Sequence, residues 1–394
     1  MTDIFLDLGL QPISNRFLTS PRDSSPLFPL ALTISKKTGD IKIKQPFPVS
    51  ELRPRYSWLT TCFEPEDHLD DFVDELIDLT GISSNSRIGA FSFKDDSTLR
   101  RLEKKGFKNT WRLDPQRDLG IEDDVCSIET LQDRFNSEKA KNVHHDYGET
   151  DVLVVRHVLE HSYNMEDFIE GAKRLVKPNG YVIWELPDSE KALSISDYSM
   201  IWEEHVHYFT QFTFKNLIES RGFEILFCET IDYPFENSII AVTKISNENI
   251  KPIIIDTNQV SIELNRAVNF SNSLFSQKMD TQTKIKSIKD EYGPIALYGA
   301  GHLAIAFLSI MDVSHMIEFA IDDNENKIGM WMPIGNLEIK DSSELDVNNI
   351  GVCLLGLNPQ NQPQVLNKHS RYTTNGGMFA SIFPGSENYF GRLL

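Results

Sequence analysis

Paired cysteines are missing from this chain. Cys62, Cys126, Cys228 and Cys353 are the only four among 394 residues, and no CxxC pair occurs. A disulfide framework or a cysteine-based zinc module needs such pairs, so the pattern suits free thiols in a reducing compartment. Basic charge is also short: 39 lysines and arginines face 58 acids, for a formal net charge of −19. Nucleic-acid binding draws on clustered Lys and Arg, which excludes that partner, and any anionic ligand must be held locally. Long apolar runs are absent. None approaches the ~20 residues that a bilayer span requires, and the opening MTDIFLDLG carries no basic stretch followed by an apolar one. The expectation is a cytoplasmic protein, monomer or homodimer, with no membrane partner.

What is present is a globular balance, with 40% hydrophobic and 25% charged residues. A single core stops growing near ~250–300 residues, so several domains are expected. Residues 1–64 contain β-prone pieces, LALTIS and IKIKQPF, around a KKTGD turn, and read as a small N-terminal domain. Across 65–248, apolar strands (RIGAF, TWRLD, DVLVV, YVIWEL) alternate with amphipathic helices, which implies a doubly wound α/β sheet with ligands beyond the strands' carboxyl ends. Residues 249–394 open with a long connecting helix from about Gln259 to Tyr292 and continue as a second α/β unit from PIALYGAGHLAIAF.

Four segments can carry chemistry. In DVLVVRHVLEHSYNMEDF a buried strand leads into a helix that Asn164 can cap, which sets His157, Glu160 and His161 at the lip of the sheet. Imidazole titrates near neutral pH and suits acid or base work there, with a structural role for VLEH as the alternative. IWEEHVHYFT crowds Glu203, Glu204, His205, His207 and Tyr208 between Trp202 and Phe209. Glu203 or Glu204 can orient His205 as a base; a surface cluster is the rival reading, and no metal is expected because adjacent residues rarely share an ion. The loop IGAFSFKDDSTL retains Gly89 for close backbone approach, with Asp95, Asp96 and Ser97 as polar contacts, but Phe91, Phe93 and Lys94 add bulk, so a rebuilt loop without ligand stays open. In YGAGHLA, Gly299 and Gly301 turn into a helix beginning near His302, either a phosphate seat or a tight structural turn.

Taken in order, LDLGLQPISNRF, PRYSW, VLEH, IWEEHVHYF, YGAGHLA, DDNENKIGMWMPIGNLEI and GGMFASIFPG resemble the motifs of the three-part sugar C-methyltransferases that act on nucleotide-linked 4-keto deoxyhexoses. The likeness spans nearly the whole chain. It implies a methyltransferase-type doubly wound sheet (Rossmann-like) between a small β-containing N-terminal domain and a C-terminal Rossmann-like nucleotide-sugar domain. S-adenosylmethionine is the implied cofactor, and a nucleotide-linked keto sugar the implied substrate. In that family a histidine of the EH motif, here His205, removes the proton next to the ketone. His161 would face the enolate oxygen, Glu204 would orient the base, and Tyr56 would line the pocket. Gly89, Asp95, Asp96, Asp114 and His157 fall where the donor binds, Asp114 at the ribose hydroxyls. Tyr208, Glu185, Gly299, Gly301 and His302 fall where the substrate binds. Departures are plain: LTISKKTGDIKI replaces the zinc cysteines, Arg87 replaces the acid before the donor loop, KDDSTL ends that loop, and Trp202 stands for a tyrosine. An isomerase, epimerase, lyase or binding protein on the same fold is the alternative.

Overall fold

The computed structural model describes residues 2–56, 66–122, 125–246 and 254–393. Among these the strands form three sheets. Near the N-terminus β1 (Thr2–Pro12), β2 (Leu27–Ser35) and β3 (Ile41–Ile43) run antiparallel. The central sheet takes β4 (Ile88–Ala90), β5 (Thr110–Arg112), β6 (Thr150–Arg156) and β7 (Val176–Asp188). A two-residue strand β8 (His207–Tyr208) leaves that region, and β9 (Phe223–Ile231) and β10 (Asn237–Ile245) return to it. The third sheet is β11 (Ile295–Tyr298), β12 (Ala320–Ile321), β13 (Ile339–Lys340), β14 (Val352–Leu355) and β15 (Met378–Ser381).

The central order is β5-β4-β6-β7-β10-β9, parallel from β5 to β7 and antiparallel beyond. Strand β6 is buried at nearly every position, because helices cover both faces. Phe91, Phe135 and Phe168 pack edge to face on one side, while Leu69, Phe72 and Leu76 close the other. The third sheet is wholly parallel in the order β13-β12-β11-β14-β15, with the crossover between β11 and β14. That switch leaves a crevice at the strands' carboxyl ends.

The connecting helix runs Thr257–Tyr292, capped by Asp256 and stopped at Gly293 with φ 93°. Strand β8 pairs with β3, not with the central sheet, so the segment after Trp202 is stitched to the N-terminal strands. No described helix is long and apolar enough to cross a membrane. Cys62 and, in PRYSW, Ser57 and Trp58 lie outside the described residues.

Candidate active site

The last residue of β6 turns a buried cation inward. Arg156, 1% exposed, donates Nε to Glu185 at 2.5 Å, Nη2 to Glu66 at 2.7 Å, and Nη1 to the Lys94 carbonyl at 2.6 Å and the Ser97 hydroxyl at 2.9 Å. A guanidinium out of water requires such partners. Glu185 also meets Ser238 Oγ at 3.0 Å and His68 Nε2 at 2.9 Å. Burial would push Glu185 up, but Arg156, His157 and His68 outweigh it and hold it well below the usual carboxylate range.

His157 follows with φ 51°, a left-handed conformation uncommon for a non-glycine residue. The turn swings its ring between Glu160 and Glu185, 3.7 Å from each. Burial opposes a charge there, yet the two carboxylates prevail and hold its pKa at about 10. The short turn Leu159–His161 then buries Glu160, whose carboxylate oxygens accept no hydrogen bond among the described residues. Its neighbours are His157 and His161 Nε2, the latter at 3.8 Å.

The second histidine arrives on the loop ahead of β8. His205 N closes a turn on the Trp202 carbonyl at 3.1 Å. Glu203 accepts from Ser14 N at 2.5 Å and Ser14 Oγ at 2.9 Å, and Glu204 accepts from Asn15 Nδ2 at 2.9 Å. Both acids are thus engaged by the N-terminal QPISN segment. Burial lifts Glu203 to about 7, and burial with repulsion from Glu129 and Glu203 lifts Glu204 well above the usual range. Burial, with the neighbouring His161 and His302, holds His205 well below the ordinary imidazole value, so its ring is neutral.

The rings of His161 and His205 meet edge to face, 4.9 Å between centroids. Both line a cavity of about 510 Å³, together with His157, Glu160, Glu185 and Glu204. Its far wall is the third sheet's crevice, through Gly299, Gly301, His302 and Gly356. Trp202 stacks on His302 at 4.2 Å and so joins the two walls.

Several expected residues stand elsewhere. Gly89, Asp95, Asp96 and Asp114 do not line the cavity. Gly89 makes room for Trp111, whose ring would sit 2.5 Å from an added Cβ. Asp95 is spent on the backbone N–H groups of Phe91, Ser92 and Arg156. Asp96 pairs with Arg112 at 2.6 Å, and Asp114 caps the helix Pro115–Leu119. Tyr208 bonds the Trp202 backbone at 3.0 and 3.1 Å, bracing the loop and not the cavity, and Tyr56 also lies outside the lining. Conversely, Asn15, Glu66, His68, Glu129, Arg156 and Lys327 line it although the sequence assigned none of them a role. Glu160, His161 and His205 each offer one ligand atom within 4.8 Å of the others, a set able to take a transition-metal ion.

Comparison with known proteins joins these parts. Residues 91–226 match the methyltransferase domain family, and residues 244–384 match the C-methyltransferase C-terminal domain family. The C-methyltransferase NovU of Streptomyces niveus is 20% identical over 398 residues, covering 97% of this chain and 94% of its own. Two solved structures are similar to part of the chain. A Bacillus halodurans protein assigned as a methyltransferase is 13% identical and covers 45% of this chain and 100% of its own, with a TM-score of 0.30. A SAM-dependent methyltransferase from Methanosarcina mazei is 12% identical and covers 42% of this chain and 95% of its own, with a TM-score of 0.29. The two domain matches, in this order on one chain, make it a member of the S-adenosylmethionine-dependent C-methyltransferases.

Proposed function

We propose that the chain methylates the carbon beside the ketone of a nucleotide-linked keto sugar, with His205 as base. One observation carries this reading: two imidazoles, His161 and His205, cross at 4.9 Å on the wall of a cavity that also reaches the glycine turn Gly299–Gly301. A neutral His205 ring can take a proton, and a donor at His161 can meet the oxyanion that develops when the proton leaves. Across the cavity, the helix His302–Met311 begins at Gly301 with no side-chain cap, so its first N–H groups can receive a diphosphate. Lys327 lines the same wall, paired with Asp322 at 2.8 Å.

S-adenosylmethionine, when bound, supplies an electrophilic methyl group. The cavity fits it by charge. Glu160 is a buried carboxylate whose oxygens have no hydrogen bond among the described residues, which suits a cationic group, while Lys94 suits a carboxylate. Phe93 and Ile128 offer apolar surface for a flat base. These residues, and not the loop acids, would hold the donor.

The test is wash-in of solvent deuterium beside the sugar ketone, followed by NMR on a keto nucleotide sugar without donor. His205→Asn should lower exchange by about 10²–10⁴-fold, the usual worth of a positioned base. Exchange at the wild-type rate would clear His205 of the role. Calorimetry with S-adenosylhomocysteine should show saturable binding that Glu160→Gln and Lys94→Ala alter, whereas Asp114→Ala leaves it unchanged.

A further inference from the structure

Glu129 begins the helix Ile128–Arg134, behind the cap Ser127, and its side chain is turned inward to 2% exposure against the cavity wall. Its carboxylate is met by the Ser127 hydroxyl, by its own backbone N–H and by the His161 ring. Its Oε1 lies 2.7 Å from His161 Nδ1, off the straight line that an ideal hydrogen bond prefers. A carboxylate can only accept at that nitrogen, so the contact confines a proton to Nδ1. The other ring nitrogen, Nε2, is left facing Glu160 at 3.8 Å, on the side where His205 crosses the ring.

A second contact fixes the charge on Glu129. Glu129, His161 and Glu204 bring one ligand-type atom each within 4.8 Å of the others, and all three residues are buried. Two buried carboxyls so close do not both ionise. Glu204 faces the neutral amide of Asn15 at 2.9 Å and has Glu203 beside it, whereas Glu129 faces the imidazole. The negative charge therefore rests on Glu129 and the proton on Glu204.

We infer that Glu129 is the positioning residue of His161: it holds a proton on Nδ1 and so aims Nε2 into the cavity as the group that meets the substrate's carbonyl oxygen. This rests on the role given to His161 above. Glu129 stands at the cavity wall and acts through the ring. Glu204, as the neutral partner, keeps Glu129 from turning away without competing for the imidazole proton.

The experiment uses the full-length chain labelled with [15N]histidine, with His161 assigned through His161→Asn. In the wild type Nδ1 of His161 should carry a proton at neutral pH. In Glu129→Ala, and in the near-isosteric Glu129→Gln should the first fail to fold, the ring should show both tautomers. Turnover should fall by about 10–100-fold, the usual cost of losing a ring-orienting carboxylate, with KM for the keto nucleotide sugar changed less than about threefold and partial recovery in Glu129→Asp. An unaltered Nδ1 signal in the variant that folds, or a rise in KM with kcat unchanged, would overturn the assignment. The tautomer is read without turnover. A chain inert on every keto nucleotide sugar would thus sink the proposed reaction while the nitrogen signal alone decides Glu129.

Discussion

Glu203 and Glu204 are adjacent, buried and held by adjacent residues of the N-terminal segment, Ser14 and Asn15. Burial lifts both, Glu203 to about 7. A carboxyl whose folded pKa lies above its unfolded value stabilises the fold fully below the unfolded value, and that contribution is lost as pH rises through the folded one. Glu129 and Glu185 are shifted the other way, by His161 and by Arg156 with the His157 and His68 rings, so their contribution is lost only as pH falls below the usual carboxylate range. Stability should therefore peak near pH 5 and decline through pH 7 by on the order of 2 kcal/mol. Urea titrations at pH 5 and pH 8 check the sign, and Glu203→Gln should flatten the decline. Equal midpoints at both values would show that these acids are already ionised. The sequence made the histidines legible, because their density in VLEH and EEHVH is a local signal. Glu129 and Arg156 gave no such signal: their partners lie 29 to 90 residues away, so only the fold reveals them.

At the level of elements, the two glycines of the 299–301 turn look alike in sequence and differ in the fold. Gly299 has φ 98°, and an added Cβ would lie 3.1 Å from Leu357, so it serves conformation and close packing of β11 against the turn after β14. Gly301 has ordinary extended backbone and open space around its Cβ position, on the cavity side. Gly299→Val should lower the melting temperature by several degrees, since strained backbone costs on the order of 1–3 kcal/mol. Gly301→Val should leave melting unchanged and weaken binding of uridine or thymidine diphosphate about tenfold or more, measured by calorimetry. Equal affinity in the second variant would make the turn purely structural. The glycine turn and the buried strands were readable because each has a strong period or punctuation, and the long helix by its polar length despite a weak period. Strand β1 was not, because register breaks between Ile4 and Leu6 and between Asp7 and Leu10 interrupt the alternation that would reveal it. The donor loop was less legible, because its acids meet backbone N–H groups and Arg112, partners that no local pattern announces.

Across the whole molecule, the N-terminal strands and the last sheet share one apolar core although they sit at opposite ends of the chain. Leu6, Ile13, Phe17, Ile34 and Phe47 join Ile295, Leu308, Leu354 and Phe390 in a single cluster, whereas the central sheet has its own clusters on its two faces. Backbone hydrogen bonds between Leu18 and Trp331, at 2.9 and 2.8 Å, and Lys327 over the Phe17 ring reinforce the union. The same union sets Asn15 beside Glu204 and brings the glycine turn of the last sheet opposite the histidines, so both ends of the chain contribute to the cavity wall. A small N-terminal sheet of this size cannot bury enough surface alone, and sharing a core is the physical remedy. Phe17→Ala removes a ring that is 1% exposed and should cost about 3–5 kcal/mol. Because the core is common, amide exchange should accelerate in β11 and β14 as well as in β2, while β6 and β10 of the central sheet keep their protection. Acceleration confined to β2 would mean that the chain ends fold as separate units, and the shared wall of the cavity would then lose its structural basis.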